Sequence, residues 1–159
     1  MLLDPVVLEA LLAGDRAAAD AATGLVFPEF FDSQGWLWRI HLDRMREHAA
    51  ATGWLARAIV DAATGEVVGH AGFHFQPDSA GLVEIGYTIV PEQRGRGLAT
   101  ATVTALLAFA AADPAVRTVR ASVSPDNPAS LAVIARSGFV QTGEQIDDED
   151  GLELVFERA

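Results

Sequence analysis

The feature that most constrains the fold is an abrupt change of hydrophobic pattern between residues 82 and 112. Residues 82–90, LVEIGYTIV, form a hydrophobic, strand-like run, whereas residues 98–112 form an alanine-rich, helix-like run that ends near Asp113-Pro114. Only the segment PEQRGRG, residues 91–97, separates the two. The sequence therefore predicts a strand, a tight loop and a helix in direct succession, which requires a sheet with a helix packed against it.

The loop between this strand and this helix has the chemistry of a phosphate-binding site. The first turn of a helix leaves backbone N–H groups unpaired, and the helix dipole adds partial positive charge there. Gly95 and Gly97 allow the backbone to approach a bulky anion, and Arg94 and Arg96 supply charge-assisted hydrogen bonds. The loop matches neither the Walker A nor the dinucleotide-binding glycine pattern, and all eleven basic residues of the chain are arginines.

The rest of the chain alternates helical and strand-like patterns. Further helices are predicted within residues 4–15, 33–53 and 127–138, and further strands within residues 54–60, 67–76, 116–124, 139–146 and 151–158. The order is helix, helix, three strands, helix, strand, helix and two strands. This mixture predicts an α/β fold with helices on both faces of its sheet.

Two neighbouring strands have a register that the sequence itself suggests. If the turn is centred near Ser79, residues whose numbers sum to 158 face each other. One face is then apolar and pairs Ala71 with Tyr87, Phe73 with Ile85 and Phe75 with Val83. The other face pairs His70 with Thr88, Gly72 with Gly86 and His74 with Glu84. Ionisable groups beside paired glycines predict a polar cleft over this second face, whereas a merely solvated face is the alternative.

Composition limits the classes of function. The 159 residues are half apolar, which suits one globular domain, and no uncharged hydrophobic run is long enough to span a membrane. The N-terminus lacks the basic segment of a signal peptide, and the absence of cysteine excludes disulfides and thiolate chemistry, so a cytoplasmic location is expected. A net charge of −11 argues against nucleic acid and membrane surfaces as partners, because both are anionic.

Two motifs together resemble those of the GNAT superfamily of N-acetyltransferases. RGRGLA, residues 94–99, fits the pattern Arg/Gln-x-x-Gly-x-Gly/Ala of that family's acyl-CoA pyrophosphate loop. NPASLAVIARSGFVQTGE, residues 127–144, is similar to its second signature, and the two occur in the family's order and separation. The resemblance covers roughly residues 54–157 and implies an α/β fold with a mixed, mostly antiparallel sheet that splays after the strand at 82–90. The family's usual first strand is very short or absent here.

The resemblance also implies acetyl-CoA as cosubstrate and a set of residues that hold it. The strand end at Ile89 and Val90 would bond the pantetheine arm through the main chain, and Asn127 and Ser130 would lie beside the arm and the thioester sulfur. The pyrophosphate would be held by the loop residues Arg94, Gly95, Arg96, Gly97, Leu98 and Ala99, together with Thr100. Residues 1–159 are expected to form a single N-acetyltransferase-like domain.

Acyl transfer to an amine needs a base for the amine and a proton for the departing thiolate. Glu84 is the candidate base, because it lies on the polar face and, by the resemblance, at the position of the family's catalytic glutamate; His74 opposite would orient it or share its proton. A structural glutamate that pairs with His74 or with an N-terminal arginine is the alternative. Relatives often carry an acidic tyrosine where this chain has Ile134, and the register puts Tyr87 on the apolar face. Ser130, a bound water, or no acid at all are the options that remain.

The reaction that the resemblance implies is acetyl transfer from acetyl-CoA to a primary amine by direct attack in a ternary complex, without a metal. The acceptor is a small amine or a protein N-terminus, and a homodimer is compatible with the sequence. A non-catalytic acyl-CoA-binding module is the alternative function, since the tyrosine is missing. The acidic run at 147–150 either borders the acceptor cleft or only keeps the last hairpin soluble. The tryptophans either line an acceptor pocket or pack in the core; they are Trp36, Trp38 and Trp54.

Overall fold

A computed structural model of the protein describes residues 1–147 and 151–159. Its five α-helices are α1 (Pro5–Leu12), α2 (Arg16–Thr23), α3 (Gly35–Glu47), α4 (Leu98–Ala111) and α5 (Pro128–Arg136). Its six strands are β1 (Arg57–Val60), β2 (Val67–Phe73), β3 (Leu82–Ile89), β4 (Thr118–Val123), β5 (Val140–Asp147) and β6 (Gly151–Arg158). Short 3-10 turns occur at Glu29–Gln34, Ala49–Ala51 and Pro91–Gln93.

The strands form one mixed sheet in the order β1-β2-β3-β4-β6-β5. Among the described strands only β3 and β4 pair in parallel, and every other neighbouring pair is antiparallel. The register of β2 and β3 is the predicted one, since Phe73 faces Ile85 and His70 faces Thr88. Residues 1–3 run beside β1, with a bridge between Leu2 and Arg57 and backbone hydrogen bonds from Leu3 to Ala56 and between Met1 and Ala58, so the family's first strand is very short here. The predicted α/β sheet, mixed and mostly antiparallel, is confirmed.

The sheet opens between β3 and β4. Their register pairs Leu82–Glu84 with Thr118–Arg120, and the remainder of β3 continues beyond the end of this pairing. The C-terminal half of β3 therefore has β2 on one side and a gap on the other, which is the predicted splay.

Helices cover both faces of the sheet, each over its own hydrophobic core. The three N-terminal helices pack with β1 and the start of β2 around fully buried side chains such as Trp38 and Phe31. Helices α4 and α5 pack on the opposite face around Phe73, Val103 and Ile134. Each face of the sheet is thus covered by its own close-packed core.

Two local features differ from the sequence expectation. Helix α2 was not predicted, because RAAADAAT has no apolar stripe; the Asp15 side chain caps it by accepting from the Ala18 amide at 3.0 Å. Helix α3 ends at Glu47 rather than near Gly53, since His48 leaves the helical conformation with φ −136° and ψ 77°. Within residues 1–147 and 151–159, no helix has both the length and the apolar character needed to cross a bilayer.

Candidate active site

A cleft of about 460 Å³ lies at the gap where β3 leaves β4. It is formed by the end of β3, the loop that leads into α4, the first turn of α4 and one side of α5. Its lining residues are Tyr87, Thr88, Ile89, Gln93, Arg94, Gly95, Gly97, Leu98, Ala99, Thr100, Asn127, Ala129, Ser130, Val133 and Arg136. The two sequence motifs, which are about thirty residues apart along the chain, thus meet across one cavity.

The loop into α4 presents a row of open backbone amides. Gly95 and Gly97 both have φ of +78°, a left-handed conformation that glycine adopts without strain. The Arg94 amide donates to the Pro91 carbonyl at 3.3 Å, but the six amides of residues 95–100 have no hydrogen-bond acceptor in the part of the chain that the structure describes. Helix α4 also begins without a side-chain cap. Such an N-terminus is suited to bind an anion.

The two loop arginines have different surroundings. Arg94 lines the cleft and donates from Nε to the Ile89 carbonyl at 3.1 Å, which leaves its terminal nitrogens for a ligand. Arg96 instead donates to Asp61 at 2.8 Å and to Gln93. The Arg96 guanidinium therefore does not line the cleft. Arg96 can contribute to an anion site there only through its backbone amide. Arg136 of α5, which the sequence did not suggest, lines the cleft as a further cation.

The end of β3 offers main-chain groups to the gap at Ile89 but not at the Val90 amide. The Val90 amide donates to the Val68 carbonyl at 2.9 Å, so it is already used within the sheet. Amides along a strand alternate in direction, and those of Tyr87 and Ile89 therefore point away from β2, towards the gap. Of the two predicted strand residues, Ile89 is the one positioned to bond a ligand through its N–H group.

Helix α5 contributes a cap and a hydroxyl. Asn127 accepts from the Ser130 amide at 3.0 Å and so fixes the start of the helix, while its Nδ2 group remains as a donor. The Ser130 hydroxyl lies 2.7 Å from the Tyr87 hydroxyl across the cleft. Tyr87 is on the apolar face, as the register predicts, yet its ring is long enough to bring the phenol to the cavity. Sequence patterning missed this contact, because the packing of α5 on β3 determines it.

Glu84 is the centre of a hydrogen-bonded chain on the opposite face of the sheet. Its side chain is 18% exposed and accepts from the Ser122 hydroxyl at 2.6 Å. Gln145 donates to Ser122 at 3.1 Å and to Glu153 at 2.9 Å, which fixes the serine. The His74 Nδ1 atom is 3.9 Å from the Glu84 carboxylate, beyond hydrogen-bonding distance. The carboxylate is thus oriented by Ser122 rather than by His74.

The predicted polar cleft on this face is smaller than expected. A Cβ on Gly72 would lie 2.5 Å from the Leu55 carbonyl, so the chain at Leu55 already fills the space above that glycine. A Cβ on Gly86 would lie 3.3 Å from the His74 Nε2 atom, so the His74 imidazole covers that glycine. The space above both glycines is thus filled, and the polar surface that remains on this face is that of Glu84 and His74.

The histidine pair His41 and His70 belongs to the helical core instead. His70 packs against the rings of Phe31 and Trp38, and both imidazoles are more than 90% buried. Burial lowers the pKa of His41 to about 3, with a contribution from Arg44, and lowers the pKa of His70 to about 4. Both histidines are therefore neutral at ordinary pH.

The tryptophans proposed for the acceptor site differ in burial. Trp38 and Trp54 are core residues, whereas Trp36 is 54% exposed. Of the acidic run at 147–150, residues 148–150 lie outside the described part of the chain. Among the residues that are described, no cluster of three or more His, Asp or Glu side chains is arranged to hold a metal ion.

The fold and cleft define the class of the protein, and comparison with known families agrees. A model of the acetyltransferase (GNAT) domain matches residues 8–140, so the chain belongs to the GNAT acetyltransferase family. The resemblance seen in the two sequence motifs is thereby confirmed.

The individual relatives share at most about a third of their residues with this chain over the aligned region. An uncharacterized N-acetyltransferase of Bacillus subtilis, YoaA, is 30% identical over 80 residues, which are 50% of this chain and 45% of that protein. A protein of Bordetella pertussis assigned to the GNAT family shares the fold with a TM-score of 0.66 and 24% identity over 99% of this chain and 93% of its own. The microcin C7 self-immunity acetyltransferase MccE, solved with acetyl-CoA and AMP, has a TM-score of 0.68 and 14% identity over 100% of this chain and 90% of its own.

Proposed function

We propose that residues 1–159 act as a single N-acetyltransferase domain that transfers the acetyl group of acetyl-CoA to a primary amine by direct attack in a ternary complex. The acceptor is a small amine or a protein N-terminus. The observation that carries the proposal is the row of six open amides at residues 95–100, directly beside the gap in the sheet. Family membership supports it, and so does the presence of acetyl-CoA in the MccE structure.

The cosubstrate would be held at three places along the cleft. The amides of residues 95–100 and the Arg94 guanidinium would bind the diphosphate, because unpaired N–H groups at a helix start favour anions. The Ile89 amide would bond the pantetheine arm as an added strand does. The Asn127 Nδ2 group and Ser130 would contact the arm near its thioester end.

Glu84 is proposed as the base that removes a proton from the amine. Its side chain is 18% exposed, so an acceptor can reach the carboxylate, and it is oriented by Ser122. The carboxylate takes the proton directly or through a water molecule, which makes the amine nucleophilic. No metal-dependent step is needed for this chemistry.

A panel of amines and short peptides tests the function. With acetyl-CoA, at least one acceptor is expected to release free CoA thiol and to gain the mass of one acetyl group. Glu84→Gln is expected to lower kcat by about 100-fold or more, in the range typical of a lost general base. Glu47→Gln, an exposed carboxylate at the end of α3, serves as the matched control and is expected to leave the rate unchanged.

Two results would contradict the proposal. Saturable binding of acetyl-CoA with no transfer to any acceptor would favour the non-catalytic acyl-CoA-binding module. That alternative was raised because Ile134 stands where relatives often carry an acidic tyrosine. Full activity of the Glu84→Gln variant would show instead that transfer occurs but that the base is another group.

A further inference from the structure

Tyr87 is a titratable group that the proposed reaction has not yet used. We propose that the Tyr87 hydroxyl, oriented by Ser130, gives its proton to the CoA sulfur as the thioester bond breaks. This assignment rests on the proposed acetyl transfer and names the proton donor for it. It places the donor on strand β3, whereas the position on α5 where relatives carry a tyrosine is Ile134.

The surroundings of Tyr87 favour this role. Its hydroxyl is 2.7 Å from the Ser130 hydroxyl, and both residues line the cleft. Burial raises the pKa of Tyr87, although the hydrogen bond to Ser130 opposes this, so the phenol carries its proton at neutral pH. Ile134 is fully buried in the core beneath α5 and has no proton to give. The cleft thus has a phenol on its strand side in place of one on its helix side.

Tyr87 lies on the route from the phosphate site to Glu84. Neighbouring residues of a strand are about 3.3 Å apart, so Tyr87 is about 7 Å from Ile89 and Glu84 about 10 Å further along β3. A ligand anchored at residues 95–100 and extended along β3 therefore passes the Tyr87–Ser130 pair before its thioester end approaches Glu84. The odd and even positions of a strand face opposite sides, which separates the phenol from the carboxylate.

The proton and electron balance of the step is complete with these groups. The amine nitrogen forms a bond to the carbonyl carbon, and Glu84 takes the proton that the nitrogen loses. The carbon–sulfur bond then breaks, its electron pair stays on sulfur, and sulfur takes the phenolic proton of Tyr87. The resulting tyrosinate is stabilised by the Ser130 hydroxyl. When the products leave, Tyr87 regains a proton from solvent and Glu84 gives one up to solvent.

Replacing the phenol without changing the ring gives the first test. Tyr87→Phe is expected to lower kcat about 10- to 100-fold, which is below the usual general-acid range of about 100- to 10,000-fold, because a thiolate leaves readily even without help. The KM for acetyl-CoA is expected to change by less than about twofold, since the ring still packs in place. Ser130→Ala is expected to lower kcat less, and Ser137→Ala, which removes a hydroxyl at the end of the same helix, is the matched control.

The chain contains a single tyrosine, which allows a sharper test. Growth on 3-fluorotyrosine labels Tyr87 alone with a more acidic phenol. The alkaline limb of the kcat profile is expected to move to lower pH by the same amount as the phenol titration followed by absorbance. The Tyr87→Phe protein grown in the same medium carries no label and shows any unspecific effect of the medium.

The same label reports contact with sulfur independently of turnover. Its single fluorine resonance is expected to shift on titration with CoA, and to shift less with a CoA analogue in which hydrogen replaces the thiol. An unmoved resonance, or an active enzyme with unchanged kcat and pH profile in Tyr87→Phe, would overturn the assignment while leaving acetyl transfer intact. A wild-type chain that binds CoA but transfers nothing would overturn both.

Discussion

At the scale of single residues, the environment of Glu84 explains why one carboxylate among twenty-two acidic residues is suited to catalysis. Ser122 donates to it, and Gln145 holds Ser122, so the carboxylate is oriented from within the sheet. Ser122→Ala is expected to lower kcat about tenfold or more, because a lost hydrogen bond to a charged group is worth roughly 1.5 kcal/mol or more. Steady-state kinetics of this variant beside Ser79→Ala, an exposed serine, measures the effect; equal rates would refute this role of Ser122.

The two loop arginines make a second residue-scale prediction. Arg94 lines the cleft, whereas Arg96 is paired with Asp61 outside its lining. Arg94→Ala is expected to weaken CoA binding by about tenfold, or about 1.4 kcal/mol, and Arg96→Ala by clearly less. Calorimetric titration of both variants with CoA measures which substitution weakens binding more. A larger loss for Arg96→Ala would mean that its ion pair opens when the ligand binds.

At the scale of elements, the loop into α4 depends on two left-handed glycines. A Cβ at Gly97 would meet nothing within 4 Å, so the cost of Gly97→Ala is conformational, about 1–2 kcal/mol at φ +78°. The neighbouring amides would reorient, and CoA affinity is expected to fall about 5- to 20-fold by calorimetry, whereas Gly53→Ala is the matched control with equal space and no positive φ. Unchanged affinity in Gly97→Ala would contradict the role of the loop amides.

The elements also show which parts of the structure follow from sequence. The β2–β3 register was predictable because a short hairpin joins the strands, so alternation alone sets which side chains face each other. The open amides of the loop were also predictable, because a helix start that directly follows two glycines is visible in consecutive residues. The contacts of Ser122 with Glu84 and of Tyr87 with Ser130 were not predictable from sequence. They depend on how β4 and α5 pack against β3, and these elements are far apart along the chain. The filled space above Gly72 likewise comes from a distant segment.

At the scale of the whole molecule, the buried imidazoles of His41 and His70 link stability to pH. Their pKa values in the folded state, about 3 and about 4, lie below the unfolded value of 6.5. At pH values below 6.5 the unfolded chain therefore binds more protons than the folded one. The contribution of these histidines to stability is fully present above pH 6.5, and it is lost as the pH falls towards about 4 for His70 and about 3 for His41. Each pKa unit is worth about 1.4 kcal/mol, and the expected loss at about pH 5 is on the order of a few kcal/mol.

Thermal unfolding at about pH 7.5 and about pH 5 measures this loss. His70→Phe is expected to reduce the difference in Tm between the two conditions, because a phenyl ring in the same aromatic surroundings takes up no proton. His48→Gln, at an exposed position, is the control and is expected to leave the difference unchanged. A pH dependence that persists in full in His70→Phe would assign it to other groups.

The central claim is that backbone amides at the start of α4 bind the diphosphate of CoA beside the gap in the sheet. Amide proton–nitrogen correlation spectra during titration with CoA test it most directly, because each amide has its own resonance. The amides of residues 95–100 are expected to shift together and to saturate with a single affinity, while those of Gly14 and Gly24, which follow the first two helices, stay in place. Saturable CoA binding that leaves the amides of residues 95–100 unmoved, or no binding at all, would contradict the account.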